Sequence, residues 1–320
     1  MKKIKWFFIL GSCFVMKIYA QPSTGNLVDL IKEKKDTVLG WKFSGIYNLN
    51  FSQSQYFNWA SGGQNSININ SLLSLSLQRL WEKSWFENQL DLAYGILSQQ
   101  GQGIRKTDDK IEFLSRFGYR AFKNGYYAFL LNFRTQFAPG YNYPNDSVKI
   151  SDFFAPAYIM GALGINYGPD KNITIFAAPL TTKITIVRDT MLANQGAFGV
   201  RPAEYDGNGQ LLQPGQNIRY EIGGYIRIAS KKEIMENVVW QIRADFFSNY
   251  LNNPQNIDIN AESIFNFKIN KFLSASLSIA VIYDDDIIIK QDTNDDGIID
   301  KQGPRTQFKE VFGLGVNYKF

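Results

Sequence analysis

From Trp41 onward the chain alternates apolar and polar residues with period 2, the spacing of strands that have one wet face. Trp41, Phe43, Tyr47, Leu49 and Phe51 share one face; Lys42, Ser44, Asn48, Asn50 and Ser52 share the other. Ile67, Ile69, Leu73, Leu75 and Leu77 repeat this against Asn68, Asn70, Ser74, Ser76 and Gln78. Tyr127, Phe129, Leu131, Phe133 and Phe137 oppose Asn132, Arg134 and Gln136. Helical spacing at three, four and seven fits none of these runs.

About twelve such segments follow one another, near 41–53, 66–81, 85–97, 111–121, 125–137, 154–167, 172–187, 217–229, 236–250, 256–270, 272–288 and 306–320. Each is long enough to cross a bilayer on a tilt, which takes roughly 9–11 residues. Pro179 interrupts one of them and demands a bulge or an early strand end, because it has no N–H for the ladder. Connections alternate in length. Short ones fall at Glu82–Ser84, Phe122–Asn124, Gly168–Lys171, Ser230–Met235 and Asn270-Lys271. Longer ones span 54–65, 98–110, 138–153, 188–216 and 289–305, and only 251–255 breaks the alternation. Short inner turns and long outer loops mark outer-membrane barrels. The reading is an all-β protein, a transmembrane up-and-down antiparallel β-barrel of about twelve strands over residues 41–320.

Both chain ends agree with that reading. Phe312, Leu314, Val316, Tyr318 and Phe320 form one apolar stripe. This stripe resembles the C-terminal insertion signal read by the outer-membrane barrel insertion machinery. At the other end, Lys2, Lys3 and Lys5 precede an apolar run from Trp6 to Met16, and Ala20 precedes Gln21. That order predicts a signal peptide over 1–20 and a periplasmic lead-in over 21–40. Leu10-Gly11-Ser12-Cys13 is a weaker match to a lipoprotein signal, since apolar residues continue past Cys13. Aromatics including Trp41, Trp81, Trp85, Tyr119, Phe122, Tyr126, Tyr167 and Phe272 cluster near the short turns, where an interfacial ring is expected.

Charge and composition narrow the function. The net charge is +5, and Lys2, Lys3, Lys5 and Lys17 supply four of it, so nucleic acid is not an expected partner. The single cysteine, Cys13, lies in the signal, so a mature chain has no disulfide. Histidine is absent, which excludes a Ser-His-Asp triad and His-ligated zinc; an enzyme is not expected.

Three stretches stand out beside the alternation: Asn58-Trp59-Ala60-Ser61-Gly62-Gly63-Gln64-Asn65-Ser66, the run Leu131-Asn132-Phe133-Arg134-Thr135-Gln136-Phe137-Ala138-Pro139-Gly140-Tyr141, and Phe247-Ser248-Asn249-Tyr250 with Asn253-Pro254-Gln255-Asn256. They resemble a Bacteroidota outer-membrane barrel family known mainly as a domain of unknown function. Ser151-Asp152-Phe153, Ala155-Pro156-Ala157-Tyr158, Gly196-Ala197-Phe198-Gly199-Val200 and Ile282-Tyr283-Asp284-Asp285-Asp286 extend the match. The resemblance implies a barrel in the outer membrane of a Gram-negative bacterium, and transfers no catalytic residue.

Candidate chemistry lies first in the lumen. The polar faces turn Lys42, Asp91, Glu112, Arg116, Arg120, Arg134, Arg219, Glu221, Arg227, Arg243, Asp245, Asp258, Glu262, Lys268 and Lys309 inward. Two arrangements fit: an ion-paired network that fills the bore, or a water-filled bore with a weak preference for anions. A calcium loop is the second candidate: Asp292, Asn294 and Asp296 at positions 1, 3 and 5, Gly297 at 6, the Ile298 carbonyl at 7 and Asp300 at 9. Gly303 replaces the bidentate Glu at position 12, and a solvated acidic loop explains the same residues. Asp206-Gly207-Asn208-Gly209 reads as a tight turn and Asp284-Asp285-Asp286 as a solvated strand end. The 188–216 loop folds inward as a constriction or outward as a contact surface. A porin-like channel for small solutes leads. A non-conducting scaffold, with Trp59, Phe153, Phe154 and Phe198 exposed, is the alternative, and outer-membrane lipid is the expected surrounding.

Overall fold

The structure, a computed structural model, describes residues 40–57, 64–143, 145–170, 172–270, 273–291 and 300–319. The signal peptide, most of the lead-in, Trp59 with Gly62-Gly63, Phe272 and Phe320 lie outside the described residues. So does the stretch 292–299 that holds most of the candidate calcium loop.

Twelve strands form the body: β1 (Gly40–Ser54), β2 (Ser66–Leu80), β3 (Ser84–Gln99), β4 (Gln102–Phe122), β5 (Gly125–Thr135), β6 (Ala157–Tyr167), β7 (Ile173–Ile186), β8 (Ile218–Met235), β9 (Val238–Asn249), β10 (Asp258–Lys268), β11 (Leu273–Tyr283) and β12 (Gln307–Lys319). Each pairs antiparallel with its neighbour in sequence, and β12 returns to β1, so the sheet closes into an up-and-down barrel. Closure pairs the first and last strands through Ile46–Leu49 and Val316–Lys319, where it removes the free edges of an open sheet. Register keeps like with like. Ser74 stands beside Asp91, Asp91 beside Glu112, Arg227 beside Asp245, and Arg243 beside Glu262. A slip of one residue at any of these seams would turn the polar face outward.

Pro179 sits where the ladder shifts. On one side Leu163 pairs with Leu180 and Ile165 with Ala177; on the other Gly223 pairs with Thr181 and Tyr225 with Ala178. The expected bulge is therefore present. Two expectations about connections fail. The stretch 98–110 is strand, not loop: β3 and β4 run on to a tight turn at Gln100-Gly101. At 21 residues β4 measures roughly 70 Å, so this hairpin stands well clear of the barrel rim. Residues 230–235 belong to β8, and the turn tightens to Glu236-Asn237, where Asn237 takes a positive φ. Both runs keep alternating into polar sequence, so polarity alone placed the strand ends too early.

Outward residues make an apolar band. Phe43, Phe129, Leu163, Leu180, Ile226 and Ile228 are all exposed. At the short-turn end the Arg79 guanidinium stacks between Trp41 and Trp81, 5.0 and 4.7 Å from their ring centroids. Trp85 and Tyr126 depart from the expected ring. They face inward and meet edge to face at 6.4 Å. Gly118 seats Trp85, since a Cβ there would lie 2.4 Å from the indole.

Candidate functional site

The interior has two unlike walls. From β4 to β9 it is packed. Leu114, Leu130, Phe176, Ala178, Tyr225 and Phe247 form a buried apolar layer. On the short-turn side, Arg116 pairs with Glu87, and Glu87 also accepts from Gln78 at 3.2 Å. Asp91 accepts from the Ser74 hydroxyl at 2.6 Å and from Gln89 at 2.9 and 3.0 Å. Midway up, Arg227 grips Asp245 with Nε at 2.5 Å and Nη2 at 3.2 Å, and the Tyr225 hydroxyl donates to the same carboxylate at 2.6 Å. Arg243 lies 3.5 Å from Asp245 and 3.3 Å from Glu262. Glu112 accepts from Asn132 at 3.1 Å and lies 3.5 Å from Lys110. Buried charges stay ionised only when paired and hydrogen-bonded in this way.

The outer mouth carries a second network. Lys183 of β7 reaches Asp258 at 2.9 Å, Asp284 at 3.4 Å and Glu221 at 3.7 Å. Arg219 bonds Glu221 at 2.6 Å and also pairs with Asp286. Asn256 donates to Asp285, which accepts from Tyr283 as well, at 3.1 Å. Four carboxylates, Glu221, Asp258, Asp284 and Asp286, thus pair with two cations, and Asp285 stands beside them on neutral partners. The triplet Asp284-Asp285-Asp286 is part of the mouth network, not a solvated strand end. The sequence reading missed that because its partners sit on distant strands.

The loop between β7 and β8 folds inward over this network. Its short helix α1 (Thr190–Asn194) is capped by Asp189, which accepts from the Leu192 amide at 3.1 Å. Leu192, Ala193, Val187, Val200 and Ala155 form a small buried core. Gly199 then lies against Arg219 and Asp286: a Cβ there would stand 2.1 Å from the guanidinium, and its φ is +78°. Lys149 clamps the loop from outside, 2.7 Å from Asp152 and 2.5 Å from Asp189. The two carboxylates raise the Lys149 pKa, and the hydrogen bond from Lys149 lowers that of Asp189. Phe198 packs against the loop core, and Phe154 packs on Phe133 at 5.7 Å and on Phe153 at 4.7 Å. Those two rings are not the exposed contacts expected of them. Asp206 closes a tight turn, accepting from the Asn208 and Gln210 amides at 2.9 and 2.7 Å.

The wall formed by β11, β12 and β1 is different. Most of its inward residues are small and polar, among them Ser276, Ser278, Gly313, Gly315, Ser44 and Asn48; Ile46 is a buried exception, and Val311, Lys309 and Ile282 are larger side chains toward the mouth. Inward Val311 is 44% exposed, so water reaches the interior along this side.

Of the residues expected inside, Asp91, Arg116, Glu221, Arg227 and Asp245 are buried. Glu112, Arg134, Arg219, Arg243, Asp258 and Glu262 are half-buried. Lys42, Arg120 and Lys268 are exposed near the short-turn rim. Lys309 is exposed toward the mouth, 3.0 Å from Asp108. Glu87 and Lys183 were missed. Glu87 lies on the same face as Asp91, so alternation alone identifies it. Lys183 was hidden by the bulge at Pro179: even positions face inward before it (Phe176, Ala178) and odd ones after it (Thr181, Lys183, Thr185). Phe312, Leu314 and Val316 point outward and are exposed, and Tyr318 pairs in register with Tyr47. Asp292, Asn294, Asp296 and Ile298 lie outside the described residues, and Asp300 is exposed. Among the described residues, no group of three or more acidic residues is arranged to hold a metal ion.

A closed antiparallel barrel with an apolar exterior and a charged interior has the architecture of a transmembrane β-barrel. The family model described as "Protein of unknown function (DUF3078)" matches residues 51–141. No curated protein matches the chain. Among solved structures the chain is similar to an outer membrane channel from Pseudomonas putida F1, with 12% identity, TM-score 0.38, and 89% of this chain and 97% of that one covered. It is also similar to the translocator domain of the autotransporter NalP from Neisseria meningitidis (10% identity, TM-score 0.36, covering 92% and 93%). A third is outer membrane phospholipase A from Escherichia coli (11%, 0.37, covering 91% and 96%).

Proposed function

We propose that this protein is an outer-membrane β-barrel of a Gram-negative bacterium that passes small hydrophilic solutes along its β11–β12–β1 wall. One observation carries the reading: the interior is packed on one side and lined by small, water-reachable residues on the other. A barrel that served only as a rigid scaffold would gain stability by filling both sides. The mouth network of Lys183, Arg219 and the surrounding carboxylates then acts as the entry filter, beneath the folded 187–217 loop. Residues 1–20 serve as the secretion signal, and the C-terminal stripe engages the insertion machinery. The reading assigns no catalytic residue.

Purified protein in planar bilayers tests it. The expected result is small, discrete conductance steps in potassium chloride, which Ser278→Trp lowers because the indole fills the open side. Absence of steps across repeated insertions overturns the reading.

A further inference from the structure

The barrel closes unevenly. Each of the other eleven seams is laddered through ten or more residue pairs, whereas among the described residues β1 and β12 share four, from Ile46–Lys319 to Leu49–Val316. The same register extended outward would bring Phe51 opposite Leu314, Ser52 opposite Gly313 and Ser54 opposite Val311. Those strand residues exist but do not pair. β1 is laddered to β2 along this stretch and β12 to β11, so each strand has one free edge.

A free edge in hydrocarbon is costly, because each unsatisfied backbone group there costs several kcal/mol. Water in the bore relieves that cost here. Inward Val311 and Lys309 are exposed on the flank of the gap. The side chains around it have a definite chemistry. Toward lipid stand Phe51, Phe312 and Leu314, all exposed. Toward the bore stands Val311, an exposed apolar residue on a mostly polar wall. Between them the Asn50 amide leans over Gly315, where a Cβ would lie 1.8 Å from Oδ1. Apolar side chains thus flank the unpaired stretch on both faces, Phe51, Phe312 and Leu314 outside and Val311 inside.

We infer that the outer half of the β1–β12 seam is a lateral portal that admits the acyl chain of an amphiphile between the bilayer and the bore. The polar head rides in the water-reachable bore and the chain lies across the rim of Phe51, Leu314 and Val311. An added β-strand is the poorer occupant, because the free edge of β1 offers only Asn50–Ser54. The inference rests on the barrel standing in a bilayer with an open bore, as proposed above.

The test uses the full barrel, with Cys13→Ser, in phosphatidylcholine–phosphatidylethanolamine vesicles. The photoreactive residue p-benzoylphenylalanine replaces Val311 in one variant and Ser278 in another. Ser278 is the register partner of Val311 across the fully laddered β11–β12 seam and also faces inward. On illumination, mass spectrometry is expected to find lipid adducts at position 311 and none at 278. A disulfide between Ser52→Cys and Gly313→Cys closes the gap and is expected to abolish the adduct at 311, with recovery on reduction. No adduct at 311 beyond that at 278 overturns the portal. So does an adduct that survives the closed disulfide. Bilayer conductance of the protein without the photoreactive substitutions separates the two readings: ions passing there while the variants give no adducts removes the portal alone, and loss of both removes the channel as well.

Discussion

Lys183 and Asp284 are separated by 101 positions in sequence and lie 3.4 Å apart at the barrel mouth. Their strands, β7 and β11, are not neighbours, with three strands between them in the sheet. The contact therefore crosses the interior and does not follow the wall. It joins the packed side of the barrel to the open side at the long-loop mouth.

Neutralising Lys183 leaves Arg219 as the one cation paired within a network of four carboxylates. Lys183→Gln should shift the reversal potential in a potassium chloride gradient toward cation selectivity, because rings of charged side chains set pore preference. An unchanged reversal potential would mean that current bypasses this network.

Asp245 holds Arg227, Arg243 and Tyr225 together. Removing the carboxylate leaves two guanidinium groups close to each other in a buried site. Asp245→Asn should destabilise the folded barrel by about 3–5 kcal/mol, read by reversible urea unfolding in lipid vesicles. A loss below about 1 kcal/mol would place the pair in the surface class, where water screens the charges.

Leu163 is 52% exposed midway along β6 and faces outward. Leu163→Arg puts a charge in hydrocarbon and should cost roughly 2–4 kcal/mol in the same assay. A neutral effect would mean that this face meets water.

The clamp on the 187–217 loop has a pH window with two limits. Asp189 has a lowered pKa when folded, so its contribution is present above the unfolded carboxylate value and is lost as pH falls through the folded one. Lys149 has a raised pKa, so its contribution is present below the unfolded ammonium value and is lost as pH rises through the folded one. The loop should stay closed from about pH 4 to about pH 10. Protease cleavage within 203–216 should be slow across that range in the parent and faster in Asp189→Asn at neutral pH. Equal cleavage rates would show that the buried Leu192 and Val200 hold the loop without the clamp.

The strands were legible in the sequence because a barrel wall imposes one rule, alternate sides, on every residue. Phe312, Leu314 and Val316 declare their side as plainly as Asp91 or Asp245 does. Alternation failed where the backbone departed from it. The bulge at Pro179 reversed the parity and concealed Lys183. Trp85 and Tyr126 were assigned to the interfacial ring by their position near short turns, but Trp85 lies two residues before inward Glu87 and shares its face. The mouth network was not legible, because Lys183, Glu221, Asp258 and Asp284 meet only after closure of the sheet, and no local pattern encodes that meeting. The pairing defect between β1 and β12 was equally silent, since β12 alternates without interruption.

The claim that outward stripes meet lipid while inward stripes line a bore is tested most directly by fluorescence quenching with brominated lipids. Trp240 faces outward, stacked on Phe265 at 5.9 Å, and Trp85 faces inward, 5% exposed. Variants that retain only one of these tryptophans are reconstituted in brominated and ordinary phosphatidylcholine. Strong quenching of Trp240 with little change at Trp85 is the predicted result; equal quenching of both, or of neither, would contradict it.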